Sequence, residues 1–261
     1  MQQAILLPSN KKIPQPLLRR LVHSQYMDLF GVFLVFLVCY FRNFHLTIFY
    51  QGQIQFGIPF NELGTYFLKG AFPLGILSTV GAMFSLLSTR LIGKQSNWGN
   101  LVGMITTVNS GVIDFLFGNH SAIITYPLTF FITTFALVKW QKGEKIRKRD
   151  RFYYLIIGSG LVLGFALVYL GAYLFAGRTD HLFLSVVSIT FGLSLGANFC
   201  TAFKYQETWL SWTIYNIVQL IKNSLIFNIA NVVKYIFYLF NAGITFFDWK
   251  LNGDVEKESD K

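Results

Sequence analysis

Charge is sparse in this chain. Of its 261 residues only 13% are Asp, Glu, Lys or Arg, against about a quarter in soluble proteins. Cysteine is nearly absent: Cys39 and Cys200 each lie inside an apolar run, which leaves no disulfide framework and assigns both to apolar packing. The four histidines, His23, His45, His120 and His181, are scattered without metal-ligand spacing. No glycine loop of the nucleotide-binding kind occurs, so an ATP-driven pump has no support. An intramembrane enzyme would need a nucleophile, paired carboxylates or a histidine cluster at membrane depth. The sequence offers only the isolated Asp114 and Lys234. Neither a metal nor a cofactor is expected.

What is present is apolar: 53% hydrophobic and 18% aromatic residues, with a mean hydropathy of +0.48. This composition predicts an integral membrane protein with room for seven or eight spans of roughly 20 residues. The net charge of +10 comes from basic residues clustered in short segments between apolar runs, as membrane topology requires; no nucleic-acid-reading pattern accompanies them. Lys11, Lys12, Arg19 and Arg20 precede the first apolar run in the manner of a signal peptide, yet no small-residue cleavage site follows. The run is therefore read as a retained span.

Apolar runs predict eight helices, at 27–48, 70–92, 98–118, 120–140, 153–175, 181–203, 208–223 and 225–248. The last two must be separate, because a single helix over 208–249 would be about 63 Å long against a hydrocarbon core of about 30 Å. Asn223-Ser224 is the most polar place for the reversal. With the N-terminus inside, the inner side collects Arg90, Lys94, Lys139, the run KGEKIRKRDR from Lys142 to Arg151, Lys204 and the lysines at 250, 257 and 261; the outer side collects only Lys69, Arg178 and Lys222. The positive-inside rule then places both termini in the cytoplasm. A seven-span chain, with 27–48 on the membrane surface, would place the N-terminus outside.

The chain also repeats itself. KQSNW, ending at Trp98, resembles KYQETW, ending at Trp209, and WQK at Trp140 resembles DWK at Trp249, intervals of 42 and 40 residues. Two three-helix units follow, 70–140 and 181–249, joined by the single span 153–175, with 27–48 as an extra helix and 1–26 and 250–261 as cytoplasmic segments. An odd linker makes the units parallel copies, a symmetry of secondary transporters that bind substrate near mid-membrane between repeats.

Within the second unit, WLSWTIYNIVQLIKN carries a stripe. At about 100° per residue, Trp209, Trp212, Asn216, Gln219 and Asn223 fall within an arc of roughly 80°. Flat π faces beside carboxamides suit a flat, polar organic ligand. The plainer alternatives are interface-belt tryptophans, above all for Trp209, and carboxamides that glue helices together. Thr190, Ser194, Asn198 and Thr201 form a second stripe within about 80°, and Asn228, Asn231, Lys234, Tyr235, Tyr238 and Asn241 a third within about 140°. Lys234 lies near mid-membrane, where it either meets a ligand or snorkels to the surface. Thr106, Ser110 and Asp114 form a first-unit face whose carboxylate is expected to be solvated at the outer interface.

Trp209, Trp212 and Asn216 spell W-x-x-W-x-x-x-N. With the three-plus-one-plus-three arrangement and the closing Trp249-Lys250, residues 70–250 resemble the PnuC family of bacterial vitamin transporters, whose fold is similar to that of SWEET sugar transporters. The span at 27–48 resembles an extra N-terminal helix of some members. The resemblance implies facilitated diffusion of nicotinamide riboside across the bacterial inner membrane and trapping by a cytoplasmic kinase. The partners it implies are the vitamin and the lipid bilayer, with a homo-oligomer open. It directs substrate contact to Trp209, Trp212, Asn216, Gln219 and Asn223, with Asn198, Asn231 and Tyr235 from neighbouring helices. Thr133 and Asn198 stand where the family often has glutamine, and relatives carry thiamine or riboflavin, so the vitamin stays open. A scaffold would show small-residue packing faces without a converging aromatic and carboxamide stripe.

The loop Lys142 to Arg151 gives the topology a direct test. A cysteine introduced there is expected to resist a membrane-impermeant maleimide in intact cells; efficient labelling would reverse the orientation.

Overall fold

A computed structural model describes residues 16–143 and 145–252. Lys11, Lys12, Lys257 and Lys261 lie outside the described residues. The described residues open with α1 (Pro16–His23) and α2 (Gln25–Phe41) and end with seven long helices: α4 (Leu74–Gly93), α5 (Trp98–Leu116), α6 (Ala122–Gln141), α7 (Arg151–Leu174), α8 (His181–Ala202), α9 (Thr208–Leu225) and α10 (Ile229–Asn252). Between the two groups sit the strands β1 (Ile48–Tyr50) and β2 (Gln53–Gln55) and the short α3 (Phe60–Leu68). Among the described residues five helices, α4, α6, α7, α8 and α10, are long and apolar enough to cross a membrane. α1 and α2, bent by 56°, make a sixth candidate if taken together. α5 and α9 fall outside that set, and both turn a polar face inward.

Two expectations are corrected at the N-terminal side. The all-α expectation misses the hairpin, in which Phe49 stands opposite Ile54 across a Gln51-Gly52 turn with both residues at positive φ, the geometry that suits the twist of paired strands. The helix expected over 27–48 stops at Phe41, because Asn43 takes a left-handed φ of 54° and the chain turns into a short 3-10 segment, Phe44–Leu46. That segment and the hairpin clamp the start of α4. Phe49 and Phe72 exchange backbone hydrogen bonds of 2.9 and 2.8 Å, and the Gly75 amide donates to the Thr47 carbonyl at 2.8 Å. Any Cβ at Gly75 would lie 1.9 Å from the Phe44 oxygen.

The last reversal also falls later than Asn223-Ser224. α9 runs on through it to Leu225, and the Asn223 side-chain carboxamide bonds back to the Gln219 carbonyl at 2.8 Å. The turn comes at Ile226 to Asn228, with Phe227 at φ 56°, and the Asn228 side chain caps α10 by accepting the Asn231 amide and the Ser78 hydroxyl.

Arg90, counted above among the inner-surface charges, is fully buried. Its Nε donates to Asp28 at 2.7 Å, Nη1 to the Asn241 carboxamide at 2.7 Å, and Nη2 to the carbonyls of Leu21 and Val22 at 2.8 Å. Lys94 bonds the second Asp28 oxygen. One guanidinium thus joins α1, α2, α4 and α10, and its planar fork of donors is suited to that.

The loop between α6 and α7 is fastened to the one before α9. Arg147 exchanges backbone hydrogen bonds with Lys204 and Gln206, and Glu207 accepts the Arg149 amide. Desolvation raises the Asp150 carboxyl, but the Tyr153 amide, the Tyr205 hydroxyl and Arg147 outweigh it. The group therefore ionises below the ordinary carboxylate range and stays charged as the cap of α7.

α7 and α8 meet backbone to backbone. Gly160 and Gly164 on one face Gly192 and Gly196 on the other, and a Cβ at Gly164 would lie 2.5 Å from the Gly192 Cα. Such small-residue faces let membrane helices approach closely where burial of apolar surface gives no driving force. Gly164→Leu is expected to lower stability by about 1–3 kcal/mol through overpacking. Gly158→Ala, on the same helix with nothing within 4 Å of the added carbon, should be neutral or stabilising. Thermal unfolding in detergent of the two variants checks this; equal midpoints would refute the close contact.

Candidate functional site

A cavity lies among α4, α5, α6, α8, α9 and α10. It has about 180 Å³ for the centres of water-sized spheres, more than ten times the roughly 10–15 Å³ that a single water needs. All eight residues singled out from the sequence line it: Asn198 from α8; Trp209, Trp212, Asn216, Gln219 and Asn223 from α9; Asn231 and Tyr235 from α10. A polar face on a membrane helix is costly against lipid. Three such faces, each set by the helical period, therefore turn toward one another.

The α9 and α10 wall is a connected aromatic and carboxamide surface. The Trp212 ring meets Tyr215 edge-on at 5.1 Å, Tyr215 meets Tyr235 at 5.9 Å, and Tyr235 meets Tyr238 at 5.6 Å. The Gln219 amide donates to the Tyr215 hydroxyl at 2.7 Å, and the Gln219 side-chain oxygen accepts from Asn223 at 3.0 Å. The Trp212 indole donates to the Thr201 hydroxyl at 3.1 Å. Asn198 donates to the Ser194 carbonyl and hydroxyl. Two carboxamide oxygens, those of Asn216 and Asn223, are buried without any donor. Buried acceptors rarely go unpaired in a native protein, so a ligand that supplies N–H or O–H groups would satisfy a standing need.

The opposite wall is mainly of hydroxyls, with Asn100, Asp114 and Tyr126 among them. Thr107, Thr129 and Thr133 donate to carbonyls of their own helices at 2.8–2.9 Å, which leaves their oxygen lone pairs toward the cavity. Thr133, flagged as a departure, thus contributes an acceptor where glutamine would have brought a longer donor.

Three expectations change. Trp209 is neither an interface anchor nor open to a ligand over its faces: it is 1% exposed and packs edge-on against Trp249 at 5.5 Å, leaving only its indole N–H unpartnered at the end of the cavity. Asp114 is buried instead of solvated. Lys222, counted above as an outer-surface charge, grips both of its oxygens at 2.7 and 2.8 Å, and Asn119 donates to one at 2.7 Å. Lys234 does not snorkel. It is 4% exposed, lines the cavity, and holds its ammonium 4.4 Å from the Tyr235 ring centre and 5.8 Å from that of Tyr238.

Tyr215 is the residue that sequence reasoning missed. It sits about 40° off the stripe on the helical wheel, a displacement that a long side chain crosses easily. Its hydroxyl is the partner of Gln219, and its place beside Trp212, three positions earlier on the helix, was the available signal.

A family model described as nicotinamide mononucleotide transporter matches residues 75–251. No curated protein matches the chain. Among solved structures, one described as the crystal structure of the vitamin B3 transporter PnuC is similar in fold, with a TM-score of 0.55 and 19% identity over 74% of this chain and 92% of that one.

The wall predicts its own dissection. Trp212→Ala and Asn216→Ala are each expected to weaken binding of nicotinamide riboside roughly tenfold to a hundredfold, as losing a partner in a closed site costs about 1–3 kcal/mol. Tyr215→Phe should cost about tenfold by stranding the Gln219 amide. Ile217→Val, on the exposed face of α9, should change affinity by less than about threefold. Calorimetric titration of folded protein decides this, and unchanged binding in all three wall variants would make the wall mere packing.

Proposed function

Because this chain belongs to the nicotinamide mononucleotide transporter (PnuC) family, and is thus a multi-pass membrane transporter and not an enzyme, we propose that it takes up nicotinamide riboside, or a pyridine nucleoside of the same shape, by facilitated diffusion. The observation that carries the reading is the cavity wall. Rings packed edge to face run from Trp212 to Tyr238 beside two buried oxygens without donors, a match for a heteroaromatic ring attached to a sugar rich in hydroxyls. The eight residues Trp209, Trp212, Asn216, Gln219, Asn223, Asn198, Asn231 and Tyr235 form the substrate site in this reading, Trp209 through its N–H alone. Thiamine and riboflavin, also flat and polar, are the competing cargoes.

The proposed topology has eight spans, with α4–α6 and α8–α10 as parallel repeats around the linker α7, α2 as the extra helix, and both termini in the cytoplasm of a bacterial inner membrane. Reciprocal bonds support the repeat. Trp140, closing the first unit, donates to the Thr201 carbonyl of the second at 3.0 Å; Trp249, closing the second, donates to the Gly93 carbonyl of the first at 2.8 Å. A shift of 109 residues carries Trp140 onto Trp249, and it pairs Asn100, not Trp98, with Trp209. Asn100 lines the cavity and Trp98 is exposed, which accounts for the unequal intervals between tryptophans.

Phosphorylation by a cytoplasmic kinase would trap the nucleoside, because the added charge deprives it of a route back. Whether the carrier acts as one copy or as a homo-oligomer does not enter this scheme. Among the described residues the cavity's carboxylate, Asp114, is already held by Lys222, so no free acid stands ready to take up a coupling proton. In proteoliposomes loaded with a nicotinamide riboside gradient, a protonophore is expected to leave the initial rate of uptake unchanged. Clear inhibition at matched substrate would instead establish a coupled ion, and failure of all pyridine nucleosides to enter would overturn the vitamin B3 reading.

A further inference from the structure

The charges around the cavity do not cancel. Lys222 and Lys234 line it, and Asp114 is the acid that faces them. Asp114 spends both oxygens on Lys222 and one on Asn119 as well. Lys234 is left with no carboxylate and no hydrogen bond, resting over the π faces of Tyr235 and Tyr238 in a site 4% exposed. An ammonium held this way keeps part of its attraction from the rings, but no carboxylate compensates its charge. The neighbouring Asn231 carboxamide, one turn earlier on α10, also lines the cavity.

We propose that Lys234 recognises a carboxylate on the cargo, so that the preferred substrate is a pyridine nucleoside bearing a ring carboxylate in place of the carboxamide. This rests on the pyridine-nucleoside reading above and makes it more specific. A ring lodged against Tyr215 and Tyr235 lies next to the Lys234 ammonium, which is 4.4 Å from the Tyr235 centre, so the ring substituent is the group it meets. The carboxamide nucleoside carries only its pyridinium charge, and brings a second cation beside the first. The carboxylate form is a zwitterion: its anion pairs with Lys234 while its pyridinium keeps the aromatic wall. A phosphate fits less well. It brings a charge of about −1.5 to −2 near neutral pH, against a lining with a surplus of one positive charge, and it meets one ammonium without the forked donors that hold phosphate best.

Lys234 is thus a specificity-determining residue, and the test is competition among three probes on the reconstituted full chain. Nicotinic acid riboside, nicotinamide riboside and nicotinamide mononucleotide are each titrated against wild type, Lys234→Met and Lys234→Arg. The acid riboside is expected to bind wild type at least tenfold more tightly than the other two. Lys234→Met should weaken the acid riboside tenfold or more while leaving nicotinamide riboside unchanged or improved, and Lys234→Arg should keep the preference for the acid. A purely structural lysine would change all three ligands together. The wild-type ranking alone is decisive if the variants fail to fold: nicotinamide riboside or the mononucleotide binding as tightly as the acid overturns the assignment but leaves the nucleoside reading standing. Binding of none of the three overturns both.

Discussion

A polar side chain on a membrane helix has no water to turn to, and that constraint organises this molecule. Leaving such a group against lipid costs several kcal/mol, so each polar face must find another or line a cavity. In α5, α8, α9 and α10 the faces recur with the helical period, and they converge on the same space. The apolar sides of the same helices carry exposed residues such as Ile105, Val108, Ile214, Ile217 and Ile221, as a lipid-facing surface would. Fold and site are in this sense one solution: the cavity exists because the polar faces have nowhere else to point.

Two buried ion pairs then fix the ends of the arrangement. Arg90 and Asp28 lie toward the turn between α4 and α5; Asp114 and Lys222 lie toward the opposite turn between α5 and α6. Buried pairs contribute little net stability compared with apolar packing, yet removing one partner costs about 3–5 kcal/mol. Their effect is accordingly to specify which helices sit together. Lys222 binds α9 to α5, one helix from each three-helix group, while Arg90 binds the N-terminal helices to α4 and α10. The residues before 75, which the family model does not cover, are thereby made part of the body of the protein.

What was legible in the sequence follows the same division. The resemblance to the PnuC family, carried by Trp209, Trp212, Asn216 and Trp249, is borne out by the family match over residues 75–251. The stripe residues could be found because they obey a local period, in which position on one helix determines the direction of each side chain. The partners of charged groups could not. Asp114 and Lys222 are 108 residues apart and Arg90 and Asp28 are 62 apart, and only tertiary packing brings them together. Read alone, Asp114, Lys222 and Arg90 looked like charges at the membrane surface. The hairpin at 48–55 was hidden for another reason: its strands, IFY and QIQ, are only three residues each, too short for a period to show, and the apolar run from 27 carries on past Asn43, where the chain turns. Tyr215 was lost to the wheel itself, which marks where a side chain starts and not how far it reaches.

The two walls are chemically unequal, and this inequality bears on how a carrier of this shape would work. The connected rings and carboxamides lie on α9 and α10, whereas the facing hydroxyls Thr107, Thr129 and Thr133 of α5 and α6 are bonded to their own helices. Hydroxyls satisfied within a helix need nothing from the other side, so separating the walls leaves few donors stranded there. The rings and carboxamides, by contrast, are cross-linked through Tyr215, Gln219 and Asn223 and move as a unit. A ligand held by the second wall would gain only weak additional contacts from the first. Such a difference favours a motion in which one half keeps the cargo while the other slides past it. The ties such a motion must respect or break are the Trp140 and Trp249 bonds and the Arg90–Asn241 bond at one end of the units and the Asp114–Lys222 pair at the other. The tryptophan bonds are single neutral contacts to carbonyls, each worth about 1 kcal/mol net, whereas the ion pair strands a charge when it opens. Arg90, which bonds Asn241 across α4 and α10, adds a buried charge at the tryptophan end as well, so opening either end would strand one.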